Sequence, residues 1–130
     1  MDFTINIYKE LLQSLIDQKY SFQTFENFLD SPKNKTIIIR HDVDLLPQHS
    51  LRFARIQSKS SVKGVYYFRA VSQSWDEDII KEIRDLDHEV GYHYENMHTC
   101  NGDVDKAWDD FRYNLDKLRK LVEVKTICMH

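Results

Sequence analysis

Asp42 and Asp44 lie two residues apart in the run Arg40-His41-Asp42-Val43-Asp44. Carboxylates this close repel unless a cation or a proton lies between them, so the pair asks for a metal. Further along come Arg69, His93, Glu95, His98 and the last residue, His130. Aspartate oxygens with imidazole nitrogens suit zinc or a similar divalent ion, and a catalytic site of that kind keeps one position open for water. Such an ion lowers the pKa of its water towards neutrality and makes it a nucleophile. A carboxylate alongside can accept the proton, and an arginine beside that carboxylate keeps it ionised. The chemistry is hydrolysis.

These groups serve one site only if the fold gathers them. Ile37, Ile38 and Ile39 form an apolar run without polar alternation, which predicts a strand from residue 37 to 44 buried on both faces of a parallel sheet. Tyr8, Leu11, Leu12, Leu15 and Ile16 predict a helix over 5–18, and Phe22, Phe25, Phe28 and Leu29 a short second helical turn ended at Asp30-Ser31-Pro32. A helix from Pro47 to Lys59 and a strand from Val62 to Ala70 follow. Ser74 and Glu77 have the spacing of a capping box before a third helix through Leu86. His88–Glu95 reads as a strand in which Gly91 marks a close backbone approach. Asp103 is the expected N-cap of a long helix through Val122, and Val124–Met129 closes the sequence as a strand. Strands alternating with helices predict right-handed crossovers and a parallel α/β sheet. The C-terminal ends of its strands then share one rim, which receives Asp42 and Asp44, Arg69, His93 and Glu95, and His130 in turn.

Each residue also has a plainer role to weigh. Asp42 or Asp44 could cap the helix that Pro47 opens. His93 could be a hydrogen-bonded core histidine, His98 an ordinary loop residue, and Arg69 the surface partner of a nearby acid. His41, His49 and His88 read as structural or exposed, with His41 the one that could support a ligand from behind.

The 130 residues suffice for one domain, of which 1–34 form an N-terminal helical segment. Apolar residues make up 42% and charged residues 30%, a globular composition, and the net charge of -3 gives no footing for nucleic acid or an anionic membrane surface. The first ten residues lack the pattern of a secretory signal, and no apolar stretch reaches membrane-spanning length. Cys100 and Cys128 are therefore expected as reduced thiols and the cytoplasm as the setting. Ending at a strand tip, the sequence reads as part of a larger fold, or as one whose open sheet face is covered by the N-terminal helix or by another subunit in a homo-oligomer.

Four stretches together resemble the polysaccharide deacetylases (NodB-homology, carbohydrate esterase family 4): Arg40-His41-Asp42-Val43-Asp44, Val65-Tyr66-Tyr67-Phe68-Arg69, His88 to Glu95, and Ile127-Cys128-Met129-His130. The likeness covers residues 35–130 and is nearest to the branch with His-Asp-Val-Asp in place of Thr-Phe-Asp-Asp. It implies a partial, distorted (β/α) barrel that hydrolyses N-acetyl groups of a carbohydrate with a divalent metal, Zn2+ foremost, with Co2+, Mn2+ and Ni2+ as alternatives. It further implies Asp42 as general base, Asp44 and His93 as metal ligands, and Arg69 as the partner holding the base. Metal-bound water would attack the amide carbonyl, with the metal and a backbone N–H stabilising the oxyanion.

The sequence departs from the family in two respects. Four residues after His93, where a second ligand histidine is usual, stands Met97, and His98 is one place too far. His130, at a strand end on the rim, is preferred to His98 as third ligand. The family's later strands are also absent, so the rival expectation is a catalytically incomplete domain that binds carbohydrate or a partner copy. A flavodoxin-like domain with an acidic magnesium pocket is a third reading, which leaves His93 and Glu95 unexplained.

Overall fold

The computed structural model describes residues 4–130. Helix α1 (Ile5–Asp17) opens at Thr4, whose side chain accepts a hydrogen bond from the Ile7 amide. It buries Leu12 and sets the Tyr8 ring edge-on against Phe53 of the third helix, 4.8 Å between centroids. Two short strands, β1 (Ser21–Phe22) and β2 (Thr36–Ile37), pair in parallel and flank α2 (Phe25–Asp30). The second helical turn thus starts later than its phenylalanine spacing predicts. Thr24 caps it by accepting from Asn27, and Phe22 is taken into a strand ladder.

The main sheet follows from alternating units: β3 (Arg40–Val43), α3 (Pro47–Lys59), β4 (Val65–Phe68), α4 (Glu77–Asp85), β5 (Glu89–Tyr94), α5 (Asn96–Thr99), α6 (Val104–Arg119) and β6 (Ile127–Met129). Its order is β3-β4-β5-β6, every pair parallel, as the alternation predicts. Among the described residues the strands do not close a barrel, and β3 and β6 are edges. One expectation is corrected here. The strand over 37–44 is divided between β2 and β3, and Ile37, Ile38 and Ile39 are only half-buried. An edge strand has a neighbour on one side alone, so the strand buried throughout is β4.

Alternation along the strands separates two faces. Val43, Tyr66, Phe68, Val90 and Tyr92 point into the core with Leu51 and Ala54 of α3, Ile79, Ile80 and Ile83 of α4, and Leu115 and Leu118 of α6. Burying a large apolar side chain contributes roughly 1.5–3 kcal/mol. The helical layer therefore carries most of the stability and leaves the other face free for polar groups.

On that second face Asp42, Tyr67 and Gly91 stand in one row across β3, β4 and β5. The Tyr67 ring lies over Gly91, where a Cβ would meet Tyr67 Cε1 at 2.2 Å and the Thr126 carbonyl at 2.9 Å. This is the close approach expected of that glycine. Tyr67 donates to Thr126 Oγ1 at 3.0 Å, Thr126 donates to the buried Glu89, and Glu89 accepts from the Glu26 amide of α2 at 2.9 Å. The N-terminal segment does cover part of this face, through α2 and not α1.

Two caps prepare the rim. Helix α4 is capped by Asp76, which accepts from the Ile79 amide at 3.1 Å. Ser74, expected in that role, is instead buried, donating to the Val43 carbonyl and accepting from the Arg69 amide at 3.1 Å. It ties the end of β3 to the end of β4. Helix α3 starts at Leu46, a left-handed residue with φ 53° and no side-chain cap, followed by Pro47. Neither Asp42 nor Asp44 caps it. No helix of the described residues is long and apolar enough to cross a membrane.

Candidate metal centre

Asp44 leaves the end of β3 and meets two imidazoles. Its Oδ1 is 3.7 Å from His93 Nε2 and 3.3 Å from His130 Nε2. One ligand atom from each of Asp44, His93 and His130 lies within 4.8 Å of the others. Ligands held tetrahedrally at about 2.1 Å from an ion are about 3.4 Å apart, so this spacing fits a small divalent cation. Chemistry agrees with geometry. Asp44 Oδ1 is buried without a hydrogen-bond partner, one of two such side-chain atoms among the described residues. An unmatched carboxylate oxygen is costly to bury, and a cation between it and the two rings removes that cost.

His93, 3% exposed on β5, is held in a usable tautomer. Its Nδ1 lies 3.1 Å from the Cys128 carbonyl, which can only accept, so Nδ1 carries the proton. Its Nε2 lone pair then faces Asp44. His130 continues the ladder past β6, its amide donating to the Tyr94 carbonyl at 2.9 Å, and its ring meets that of His93 edge-on at 5.0 Å. Of the two histidines considered for the third place, His130 joins the group. His98, on α5, is exposed and outside it.

Asp42 sits beside the group, its Oδ2 3.9 Å from His93 Nε2. Its arginine is Arg40, which donates from Nε at 2.7 Å and from Nη2 at 2.8 Å. That pairing raises the Arg40 pKa and holds the carboxylate by a fork-shaped contact. Arg69, expected to hold Asp42, does not touch it. Its guanidinium grips Glu95 at 2.8–3.1 Å and donates to the Asp44 carbonyl at 3.2 Å. Residues two apart on a strand share a face, so Arg40 reaches Asp42 along β3 while Arg69 meets the acid that follows β5. The Arg40 pairing was open to sequence reasoning through that spacing. A cleft of about 540 Å³ opens from the centre, lined by Arg69, Glu95, His98 and His130 with parts of α5 and β6.

The remaining histidines lie elsewhere. His49 is exposed. His41 points to the helical face, away from Asp42 and Asp44, stacked on Tyr66 with centroids 4.4 Å apart and its Nε2 2.8 Å from Gln57 Nε2. It therefore cannot brace a ligand. His88 accepts from the Gly64 amide at 3.0 Å and reaches the Ala54 carbonyl at 2.9 Å. Burial lowers both pKa values, that of His41 to about 4.

Compared with protein-family models, curated proteins and solved structures, the chain matches none.

Proposed function

We propose that the rim is the centre of a divalent-metal hydrolase that removes N-acetyl groups from a sugar or polysaccharide precursor. The observation that carries this reading is the buried, partnerless Asp44 Oδ1 facing His93 Nε2 and His130 Nε2. Asp44, His93 and His130 would hold the ion. Zinc there, or cobalt, manganese or nickel, supplies Lewis-acid polarisation of an amide carbonyl and acidifies water. Asp42 is the general base, accepting the proton of the attacking water, and Arg40 holds it in place by two hydrogen bonds. The four motifs that resemble the polysaccharide deacetylases support the substrate class, and the parallel βα units would be part of a barrel of that type. A cytoplasmic setting belongs to the same proposal and rests on the free thiols Cys100 and Cys128.

A second reading, a carbohydrate-binding or self-associating domain without turnover, is favoured by the free sheet edges and by the exposure of Trp108, Ile127 and Met129. Acetate release from N-acetylated hexosamines and their oligomers separates the two. The hydrolase reading expects release with zinc- or cobalt-loaded protein and its loss with a chelator. Release that persists with the chelator, or none across the panel, would overturn it.

A further inference from the structure

We infer that Glu95 is a positioning residue, whose carboxylate, clamped by Arg69, turns the His130 ring so that Nε2 faces Asp44; this rests on reading the rim as a metal centre. Glu95 Oε2 lies 3.4 Å from His130 Nδ1, and His130 Nε2 lies 3.3 Å from Asp44 Oδ1. The ring stands between two carboxylates, with one nitrogen assigned to each.

The plainer account of Glu95 is that it only neutralises Arg69. That pairing is real, with three donor contacts at 2.8, 2.9 and 3.1 Å and side chains only 13% and 21% exposed. It leaves capacity over, because a carboxylate offers about four acceptor positions. The remainder is available to His130, whose Nδ1 lies 3.4 Å from Glu95 Oε2. Arg69 also donates to the Asp44 carbonyl, so one guanidinium fixes the strand end that bears a ligand and the acid that orients another.

His130 needs such support more than His93 does. His93 is enclosed, with Nδ1 against the Cys128 carbonyl, whereas the His130 side chain is 38% exposed and tethered chiefly through its backbone. An exposed ring rotates freely unless one nitrogen is held. A carboxylate on Nδ1 places the proton there, leaves the Nε2 lone pair for an ion and increases its basicity. On this inference Glu95, 3.4 Å from His130 Nδ1, orients the second imidazole as the hydrogen bond to the Cys128 carbonyl orients the first.

The test is a cobalt titration followed by the visible absorption of the bound ion, on wild type, Glu95→Gln, His130→Ala and the double variant. It is joined by nitrogen NMR of the imidazoles in metal-free protein at about pH 9, well above the ordinary histidine range. Glu95→Gln keeps the size of the side chain, and a near-unchanged circular dichroism spectrum verifies its fold. Positioning expects Glu95→Gln to weaken cobalt binding by roughly 10- to 100-fold, and to have almost no effect once His130 is alanine. It also expects His130 as the Nδ1–H tautomer in wild type and a shift towards Nε2–H in Glu95→Gln. Full-sized loss persisting in the His130→Ala background, or an unchanged tautomer, would overturn the inference. Absence of cobalt binding by wild type would sink the hydrolase reading instead, and the tautomer then decides the Glu95 contact by itself.

Discussion

His88 just before β5 and His93 near its far end are almost equally buried, at 5% and 3%, and differ in how their ring nitrogens are matched. With His41, His88 belongs to a closed polar cluster beneath α3. There Gln57 meets Tyr8, Tyr66 and His41, while Gly64 and Ala54 satisfy both nitrogens of His88. With His130, His93 belongs to an open cluster. One nitrogen is matched by a carbonyl, and the other faces a carboxylate oxygen that has no hydrogen-bond partner among the described residues. Burial therefore does not distinguish a histidine with both nitrogens matched from one that is a candidate ligand. What separates them is whether the partner set closes among the protein's own atoms.

The contrast would break first at the rim, where chemistry and not stability should respond. Asp42→Asn is expected to lower turnover by roughly 10²- to 10⁴-fold, the usual worth of a general base, while cobalt affinity stays within about twofold. Steady-state acetate release with a parallel metal titration checks both, and unchanged turnover would remove Asp42 from the mechanism.

Under α3 the response should be in stability. The His41 pKa falls from 6.5 when unfolded to about 4 when folded, because burial disfavours the charged ring. Its neutral form stabilises the fold fully above pH 6.5, and that contribution fades as pH falls towards 4. The gap of about 2.5 units corresponds to about 3 kcal/mol at most. Urea unfolding at a series of pH values should show a steeper acid loss for wild type than for His41→Asn, whose side chain does not titrate. Parallel slopes would mean that the cluster is not closed to protons.

A smaller effect is expected on the second face of the sheet, behind the rim. Gly91→Ala drives a methyl into the Tyr67 ring and towards the Thr126 carbonyl, at a cost of about 2 kcal/mol in unfolding free energy. A neutral result would show that Tyr67 can leave its place over β5. Smallest of all is His98→Ala. Outside the ligand group, it should change cobalt affinity by less than about twofold, and a large loss would restore His98 as a ligand.

Much of the frame was legible because its signals are local. The 3.6-residue periodicity marked α1 and α6 almost to their ends, Asp103 capped α6 as expected, and strand–helix alternation was enough for the parallel order of the main sheet. The pairing of β1 with β2 was hidden, since two-residue strands carry no periodicity and their contact spans the whole of α2. The cap of α4 was misread because Ser74 and Asp76 both suit that place, and only tertiary packing draws the serine to Val43 and Arg69. At the rim, residue types and strand ends were readable. Which acid Arg69 meets depended on face and register, so its pairing with Glu95 emerged only from the fold, whereas the two-residue spacing of Arg40 and Asp42 on one strand already pointed to theirs.

The most direct test of the centre is metal content by elemental mass spectrometry after loading with zinc or cobalt and exhaustive dialysis. It would compare wild type with His93→Ala and His130→Ala, with circular dichroism to verify folding. The expected result is close to one ion per wild-type chain, lost in both variants. Wild-type protein that retains no ion, or variants that retain it undiminished, would contradict a centre built from Asp44, His93 and His130.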